Sequence, residues 1–199
     1  MPETPLEPRV VHVVCATVRP DAPAEAVAHA LELARAMDAA PGARRVLCGA
    51  DAGLVIAATW LDGRMALEPF AASSAHMAFV MRGLAPCIQG MWSAGVETDA
   101  PPPETADALW VFAVRDSDSL YEWQIRDLVR TVAALPGHAA AGPTFEERDR
   151  YRAGGVVALT AAEIESFHAA LATARAAWGD VTDLLTEGFV RLPPSRANI

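Results

Sequence analysis

The sequence predicts an α+β fold made of two tandem units that pack sheet to sheet, each with the element order βαββαβ. Three observations support this prediction. The connector TDAPPPETAD, residues 98–107, carries three prolines flanked by acidic residues and divides the chain into halves of similar length. Strand-like and helix-like patterns then follow one another in the same order in both halves. A Pro-Gly pair follows the first predicted helix of each half, at 41–42 and 136–137.

The first half opens with a β-branched run, RVVHVVCATV over 9–18, which is typical of a buried strand. Apolar residues at helical spacing predict a helix over 21–40, with Asp21 as its N-cap. The half is completed by a hairpin around Asp51-Ala52-Gly53, a helical stretch over 64–86 that breaks near Ser73-Ser74, and a strand over 90–98.

The second half repeats this order. Its predicted elements are a strand over 108–115, a helix over 119–135, a poor strand from His138, a better strand over 154–160, a helix over 161–178 and a strand over 181–192. Each half is therefore a ferredoxin-like, split-βαβ unit. Because both helices of such a unit cover one face of its sheet, the two bare faces are expected to bury each other in a fused barrel.

Composition excludes several classes of function. The 199 residues carry a net charge of −9 and no lysine. A chain without lysine forms no Schiff base and lacks the lysine of a P-loop. The arginines are scattered, so no basic stripe is available for nucleic acid. The dinucleotide-binding GxGxxG, the hydrolase GxSxG and the zinc-binding HExxH patterns do not occur.

The cysteines and the apolar runs indicate a cytoplasmic protein with no membrane partner. Cys15, Cys48 and Cys87 are odd in number and widely spaced, which favours neither a disulfide framework nor a zinc site. No apolar run has the length of a membrane span, and no basic and apolar leader precedes Arg9. A metal held by His12 and His76 would lack a third ligand, so we expect no metal.

Three segments carry a resemblance to a known family. They are VVHVVCATVRPDA, the Pro-Gly after the first helix, and FAASSAHMAFVMRGLAPCIQGMWSAGVE after the third strand. They resemble the stress-responsive dimeric α/β-barrel (Dabb) family, which is related to plant polyketide (olivetolic acid-type) cyclases and to antibiotic-biosynthesis monooxygenases. The match spans the first half, whereas the second matches in element order only. It implies a site-bearing unit over 1–97, a linker over 98–107 and a degenerate unit over 108–199. The chain would be a monomer through its own pseudo-dimer, or a homodimer.

The resemblance also implies a chemistry. In the cyclases a strand histidine and a helix histidine, assisted by a tyrosine, close a poly-β-keto chain by an aldol reaction without a cofactor. By position these histidines are His12 and His76, and the tyrosine is replaced by Phe70. One alternative is a cofactor-independent monooxygenase of phenolic polyketides, which uses a tryptophan near the place of Trp60 and an asparagine. The only asparagine here is Asn198. A second alternative is a small-molecule-binding or stress-responsive protein without chemistry.

The residues around the histidines predict an apolar pocket for a small hydrophobic or aromatic substrate. An imidazole kept neutral by burial would be its general base. The candidate wall residues are Trp60, Phe70, Phe79, Val80, Trp92 and Trp110. Both histidines are missing from the second half, where Trp110 aligns with His12, so one site is expected. Each histidine also has a structural interpretation: His76 bonded to a backbone carbonyl, and His12 at the sheet interface, depending on the register of its strand.

Overall fold

The computed structural model describes residues 8–51, 53–145 and 150–193. The first half follows the predicted order. Its elements are β1 (Arg9–Val18), α1 (Ala24–Ala36), β2 (Ala43–Asp51), β3 (Leu54–Leu61), α2 (Arg64–Ala71), α3 (Ser74–Ala78, continuing as a π-helical turn over Phe79–Leu84) and β4 (Ile88–Thr98).

The second half repeats the first. Its elements are β5 (Ala108–Arg115), α4 (Glu122–Ala133), β6 (His138–Pro143), β7 (Tyr151–Leu159), α5 (Ile164–Trp178) and β8 (Leu185–Arg191). The sheets have the strand orders β2-β3-β1-β4 and β6-β7-β5-β8, and the pairs within each are antiparallel. The predicted fold of two tandem ferredoxin-like units is therefore confirmed. None of the helices in the described ranges is long and apolar enough to cross a membrane.

Alternation along the central strand β1 assigns its side chains to two different cores. Val11, Val13 and Cys15 lie in the layer between the two sheets. Val10 and Val14 lie on the opposite face, in the core beneath the helices of the first half. Successive residues of a strand point to opposite faces, so His12 shares the helix-side face with Val10 and Val14. The interpretation of His12 as a sheet-interface histidine is therefore wrong.

The layer between the sheets is apolar and contributed by both halves. From the second half it takes Leu109 and Val111 of β5, Val156 of β7 and Val190 of β8, all fully buried. Antiparallel ferredoxin-like sheets have one face free of helices, and burying two such faces against each other removes both from water. One chain thereby covers both of its own open sheet faces.

The edges of the two sheets also meet. Val96 of β4 forms an isolated antiparallel bridge with Thr144, just beyond β6. A Cβ built at Gly142 would lie 2.2 Å from the backbone oxygen of Glu97, so only glycine allows this approach of the two backbones. At the other side, a Cβ at Gly49 of β2 would lie 2.7 Å from the backbone oxygen of Arg191 in β8. The two sheets therefore come together at both edges as a closed, barrel-like body.

Local differences from the sequence prediction occur at helix and strand ends. Pro23, rather than Asp21, is the N-cap of α1, and the carboxylate of Asp21 pairs with Arg19 instead. The last strand is shorter than predicted because residues 179–184 form a 3₁₀ turn. The predicted break near Ser73-Ser74 is present, since Ser73 caps a new helix. Ala52 of the predicted hairpin turn and residues 146–149 lie outside the described residues.

Candidate functional site

His12 lies in the middle of the central strand, where side chains are normally inaccessible to solvent. Its neighbours on the same face, Val10 and Val14, are 0% and 4% exposed, whereas His12 keeps an intermediate exposure. A central-strand residue beneath helices can keep accessible surface only if an opening leads to it. The helix side of the first sheet therefore contains a recess at His12.

The residues beside His12 explain the recess. Across the ladder His12 pairs with Thr59 of β3 and with Gly95 of β4. Gly95 has no side chain, and the next residue of β4 on the same face is the small Ser93. Space therefore remains on the β4 side of the imidazole.

His76 is held by the start of α3. Ser73 is the N-cap, and its Oγ accepts a hydrogen bond from the backbone N–H of His76 at 3.2 Å. The ring Nδ1 lies 3.0 Å from the carbonyl oxygen of Ala71, at the end of α2. A carbonyl oxygen only accepts, so Nδ1 carries the proton and donates it. In the neutral ring Nε2 therefore keeps a lone pair and can accept a proton.

The structure brings His12, His76 and Phe70 together. The ring centroids of His12 and His76 lie 6.1 Å apart, with an angle of 64° between the planes. The fully buried Phe70 lies 6.1 Å from His12 and 5.0 Å from His76, measured between centroids. His12 thus forms one aromatic cluster on the helix side of the sheet with Phe70 and His76, which lie 58 and 64 positions further along the chain.

Both imidazoles are neutral at physiological pH. Burial, with a smaller contribution from repulsion by His76, lowers the pKa of His12 from 6.5 to about 4. Burial also lowers the pKa of His76, against a smaller opposing effect of its hydrogen bond to Ala71. In addition, the Nδ1 of His12 is buried without a hydrogen-bond partner in the described part of the chain. Most buried polar atoms in proteins have a hydrogen-bond partner, so this nitrogen retains an unused hydrogen-bonding capacity.

The remaining predicted wall residues divide into two groups. Phe79 and Val80, which follow His76 along α3 and its π turn, belong to the same helix-side core as Phe70. Trp60 and Trp92 face the layer between the sheets, where Trp92 lies 6.0 Å from the ring of Tyr151. The structure therefore does not bring these two tryptophans together with the histidines.

Trp110 lies in the core of the second half, where it occupies the position that His12 has in the first. It stacks on Phe112 at 4.9 Å, packs against Phe167, and donates Nε1–H to Glu187 at 2.7 Å. Its partner on β8 is Phe189, where His12 has Gly95. The structure does not bring Trp110 together with the histidines, because β5 turns this side chain into the core of the second half. In the second half, the side chains of Trp110 and Phe189 occupy the position that corresponds to the recess at His12 in the first half.

Sequence reasoning missed three residues near the site. Phe145, just after β6, packs against the helix-side core of the first half. The guanidinium of Arg64, the first residue of α2, lies 4.7 Å above the centroid of the Phe145 ring and forms an ion pair with Glu97 of β4. Nothing in the sequence pattern points to this contact, because the half that supplies Phe145 reaches the site only through the meeting of β4 and β6.

The described residues offer no obvious metal site. Across residues 8–51, 53–145 and 150–193, no three side chains of histidine, cysteine, aspartate or glutamate lie close enough to hold an ion. Cys15, Cys48 and Cys87 are buried and free. Burial raises the pKa of all three thiols, which disfavours a reactive thiolate.

Comparison with solved structures shows that other proteins share this fold. Three solved structures share it over most of the chain. A candidate monooxygenase from Fusobacterium nucleatum subsp. nucleatum has a TM-score of 0.58 and 13% identity, over 94% of this chain and 92% of that one. A candidate monooxygenase from Lactobacillus acidophilus has a TM-score of 0.52 and 12% identity, over 94% of both chains. An anthrone oxidase-like protein has a TM-score of 0.61 and 11% identity, over 94% of this chain and 92% of that one.

Each likeness extends over 94% of this chain and so includes both of its ferredoxin-like units. At 11% to 13% identity they extend to the fold alone. No family model and no curated protein matches the sequence.

Proposed function

We propose that this protein is a small-molecule enzyme that removes a proton from a carbon flanked by carbonyl groups, with His76 as the general base. The observation that carries the proposal is the hydrogen bond from Nδ1 of His76 to the carbonyl oxygen of Ala71. That bond assigns the proton to Nδ1 and leaves Nε2 as a proton acceptor, beside a second neutral imidazole.

The reaction we favour is an intramolecular aldol closure of a poly-β-keto chain. His76 Nε2 takes a proton from a methylene between two carbonyls, and the electron pair of the broken C–H bond moves into an enolate. His12, as a neutral imidazole, donates an N–H to the enolate oxygen. The enolate carbon then attacks a second carbonyl carbon of the same chain. The protonated His76 returns its proton to the alkoxide that this attack creates, so the enzyme ends unchanged.

The lowered pKa of His76 limits the substrate to one whose reacting C–H or O–H group is fairly acidic. Burial keeps the ring neutral but also makes it a weaker base than a free imidazole. A weak base matches an acidic carbon between two carbonyls, or a phenol, better than the carbon beside a single ketone. The buried aromatic ring of Phe70 and the apolar side chains of Phe79 and Val80 favour a substrate without charge near the reacting carbon.

Oxygenation of a phenolic substrate is the second candidate. It begins with the same proton removal, after which the carbanion or phenolate reacts with dioxygen instead of a carbonyl. Two observations favour it: the three full-length structural likenesses carry oxygenase or oxidase names, and Phe70 lacks the hydroxyl that the cyclase-type tyrosine would supply.

A paired assay separates the candidates. The protein is given a synthetic tetraketide thioester, with ring closure followed by absorbance, and separately anthrone, with oxygen consumption followed by electrode. Ring closure without oxygen uptake supports the cyclase, and oxygen uptake matching quinone formation supports the oxygenase. Binding of both compounds with turnover of neither would leave a binding protein and contradict the proposal.

The base assignment is tested in the same assay with His76→Ala. The matched control is His168→Ala, which removes an exposed helix histidine from α5. Full turnover by His76→Ala would show that His76 is not the base.

A further inference from the structure

We propose that Phe145, supplied by the second half, is the outer wall of the site in the first half, and that it holds a flat, conjugated ring of the substrate over Gly95 beside His12. The inference deepens the proposed function, because it assigns a substrate shape to the same site. It also gives the second half a direct role in substrate recognition, although Trp110 and Phe189 occupy the equivalent recess in that half.

The path of the chain brings Phe145 to the site. β6 runs along the free edge of β4, and the close approach of Gly142 to the Glu97 backbone fixes that edge. Two residues after Gly142, Thr144 bridges Val96 in antiparallel register. In an antiparallel pair the next residue of one chain lies beside the preceding residue of the other. Phe145 is therefore placed beside Gly95.

Gly95 separates two aromatic side chains. His12 pairs with Gly95 from β1, and Phe145 is placed beside it from the second half. Neighbouring strands lie about 4.8 Å apart, so the backbones of His12 and Phe145 are about 9.6 Å apart. A flat ring in contact with a wall on each side needs about 7 Å between those walls. Because Gly95 has no side chain, the slot between the two rings suits one layer of conjugated atoms.

Phe145 is held in place by a charged group from the site's own helix. Arg64 lies over the phenyl ring, and its guanidinium is in turn paired with Glu97, two residues along β4 from Gly95. α2 begins at Arg64 and also carries Phe70. α2 therefore contacts both sides of the recess. Its Phe70 packs against the histidines, and its Arg64 packs against the ring of Phe145 at the edge strand β4.

Two aromatic walls, His12 and Phe145, should favour a planar substrate over a non-planar one. An aliphatic chain or a puckered ring would fill the recess but make poor contact with two aromatic walls, whereas a conjugated ring can stack. We therefore compare 1-naphthol with decahydro-1-naphthol, which has the same carbon skeleton and hydroxyl but is not flat. Binding is measured by equilibrium dialysis at neutral pH, with no turnover required.

The expected results are specific. The natural protein binds 1-naphthol more tightly than the saturated analogue, and Phe145→Ala weakens 1-naphthol binding about tenfold, equivalent to about 1.4 kcal/mol. Phe145→Leu keeps an apolar side chain but no flat face, and it also loses the preference. The matched control is Phe189→Ala, which removes a partly buried phenylalanine from the second half, away from the site. Far-ultraviolet circular dichroism establishes that each variant is folded.

Two results would overturn the inference: equal affinity of the natural protein for the two probes, or unchanged 1-naphthol binding in both Phe145 variants. The experiments can refute the role of Phe145 without refuting the proposed function, and the reverse. A loss of turnover in His76→Ala with no effect of Phe145 on binding would refute the wall alone. An effect of Phe145 on binding with full turnover in His76→Ala would refute the base alone.

Discussion

The imidazole of His12, on the central strand, and that of His76, on the helix above it, lie with their ring centroids 6.1 Å apart, and no carboxylate among the described residues pairs with either ring. A histidine beside a carboxylate is biased towards its charged form, whereas two imidazoles buried together are both biased towards the neutral form. Five expectations follow from this pair, from the contacts that support it and from the packing of the two sheets.

Replacement of His76 by glutamine should slow turnover strongly and spare the fold. The amide of His76→Gln can still donate to the Ala71 carbonyl, but it cannot accept a proton at neutral pH. We expect turnover of the tetraketide thioester or anthrone to fall by about 10²–10⁴, the usual contribution of a general base. His29→Gln, on the exposed side of α1, is the control and should retain normal turnover. Comparable losses in both variants would contradict the prediction.

Stability should fall on acidification because the environment of the partly buried His12 favours its neutral form. The folded-state pKa of His12 is about 4, against 6.5 for the free side chain. Below pH 6.5 the unfolded chain therefore takes up a proton that the folded chain refuses until about pH 4. The free energy of unfolding should decrease over this window by at most about 3 kcal/mol for this residue.

The check is urea unfolding at a series of pH values between 4 and 7. The His12→Leu variant lacks the titrating group, so its unfolding free energy should depend less on pH over the same window. An identical pH dependence in the variant and the natural protein would show that His12 is not the group responsible.

Removal of the Ser73 cap should disturb His76 directly. In Ser73→Ala the backbone N–H of His76 loses the oxygen that it donates to, which costs about 1 kcal/mol of stability. Turnover should fall as well, because the same turn positions the ring against the Ala71 carbonyl. Ser74→Ala changes the exposed next residue and serves as the control. Equal thermal midpoints and equal rates in both variants would disprove the role of the cap.

A methyl group at Gly142 should separate the sheet edges. The added Cβ of Gly142→Ala would lie 2.2 Å from the Glu97 oxygen, so one backbone has to move. We expect a loss of about 1–3 kcal/mol in urea unfolding, together with weaker binding of 1-naphthol if Phe145 moves away. In the control, Gly90→Ala, no atom beyond the adjoining residues lies within 4 Å of the added Cβ. A loss of stability as large in Gly90→Ala would argue against the edge contact.

The chain should be monomeric in solution. Each of its sheets already covers the helix-free face of the other, so the surface that would drive pairing of two separate units is used within one chain. Light scattering coupled to gel filtration should report the chain mass of 21.0 kDa. A mass of about twice that value would show that a further interface exists.

Sequence patterns alone determined the order of the elements and the fold. Local propensity and period-two or helical spacing predicted β1 and β5 with the bounds that the structure has, because those signals act between near neighbours in the chain. The same patterns, with the family resemblance, singled out His12 and His76. They did not tell in which core Trp60, Trp92 and Trp110 would lie, because alternation along a strand tells which residues share a face but not which core that face covers.

Only the tertiary structure decided what the two histidines can do. The register of β1 turns His12 towards the helices, and the break before α3 brings the Ala71 carbonyl to Nδ1 of His76, which assigns the proton of the ring. Phe145 comes close to the first half because β4 and β6 approach each other through Gly142. Such contacts join residues far apart in the chain, and their positions depend on the packing of whole sheets rather than on any local pattern.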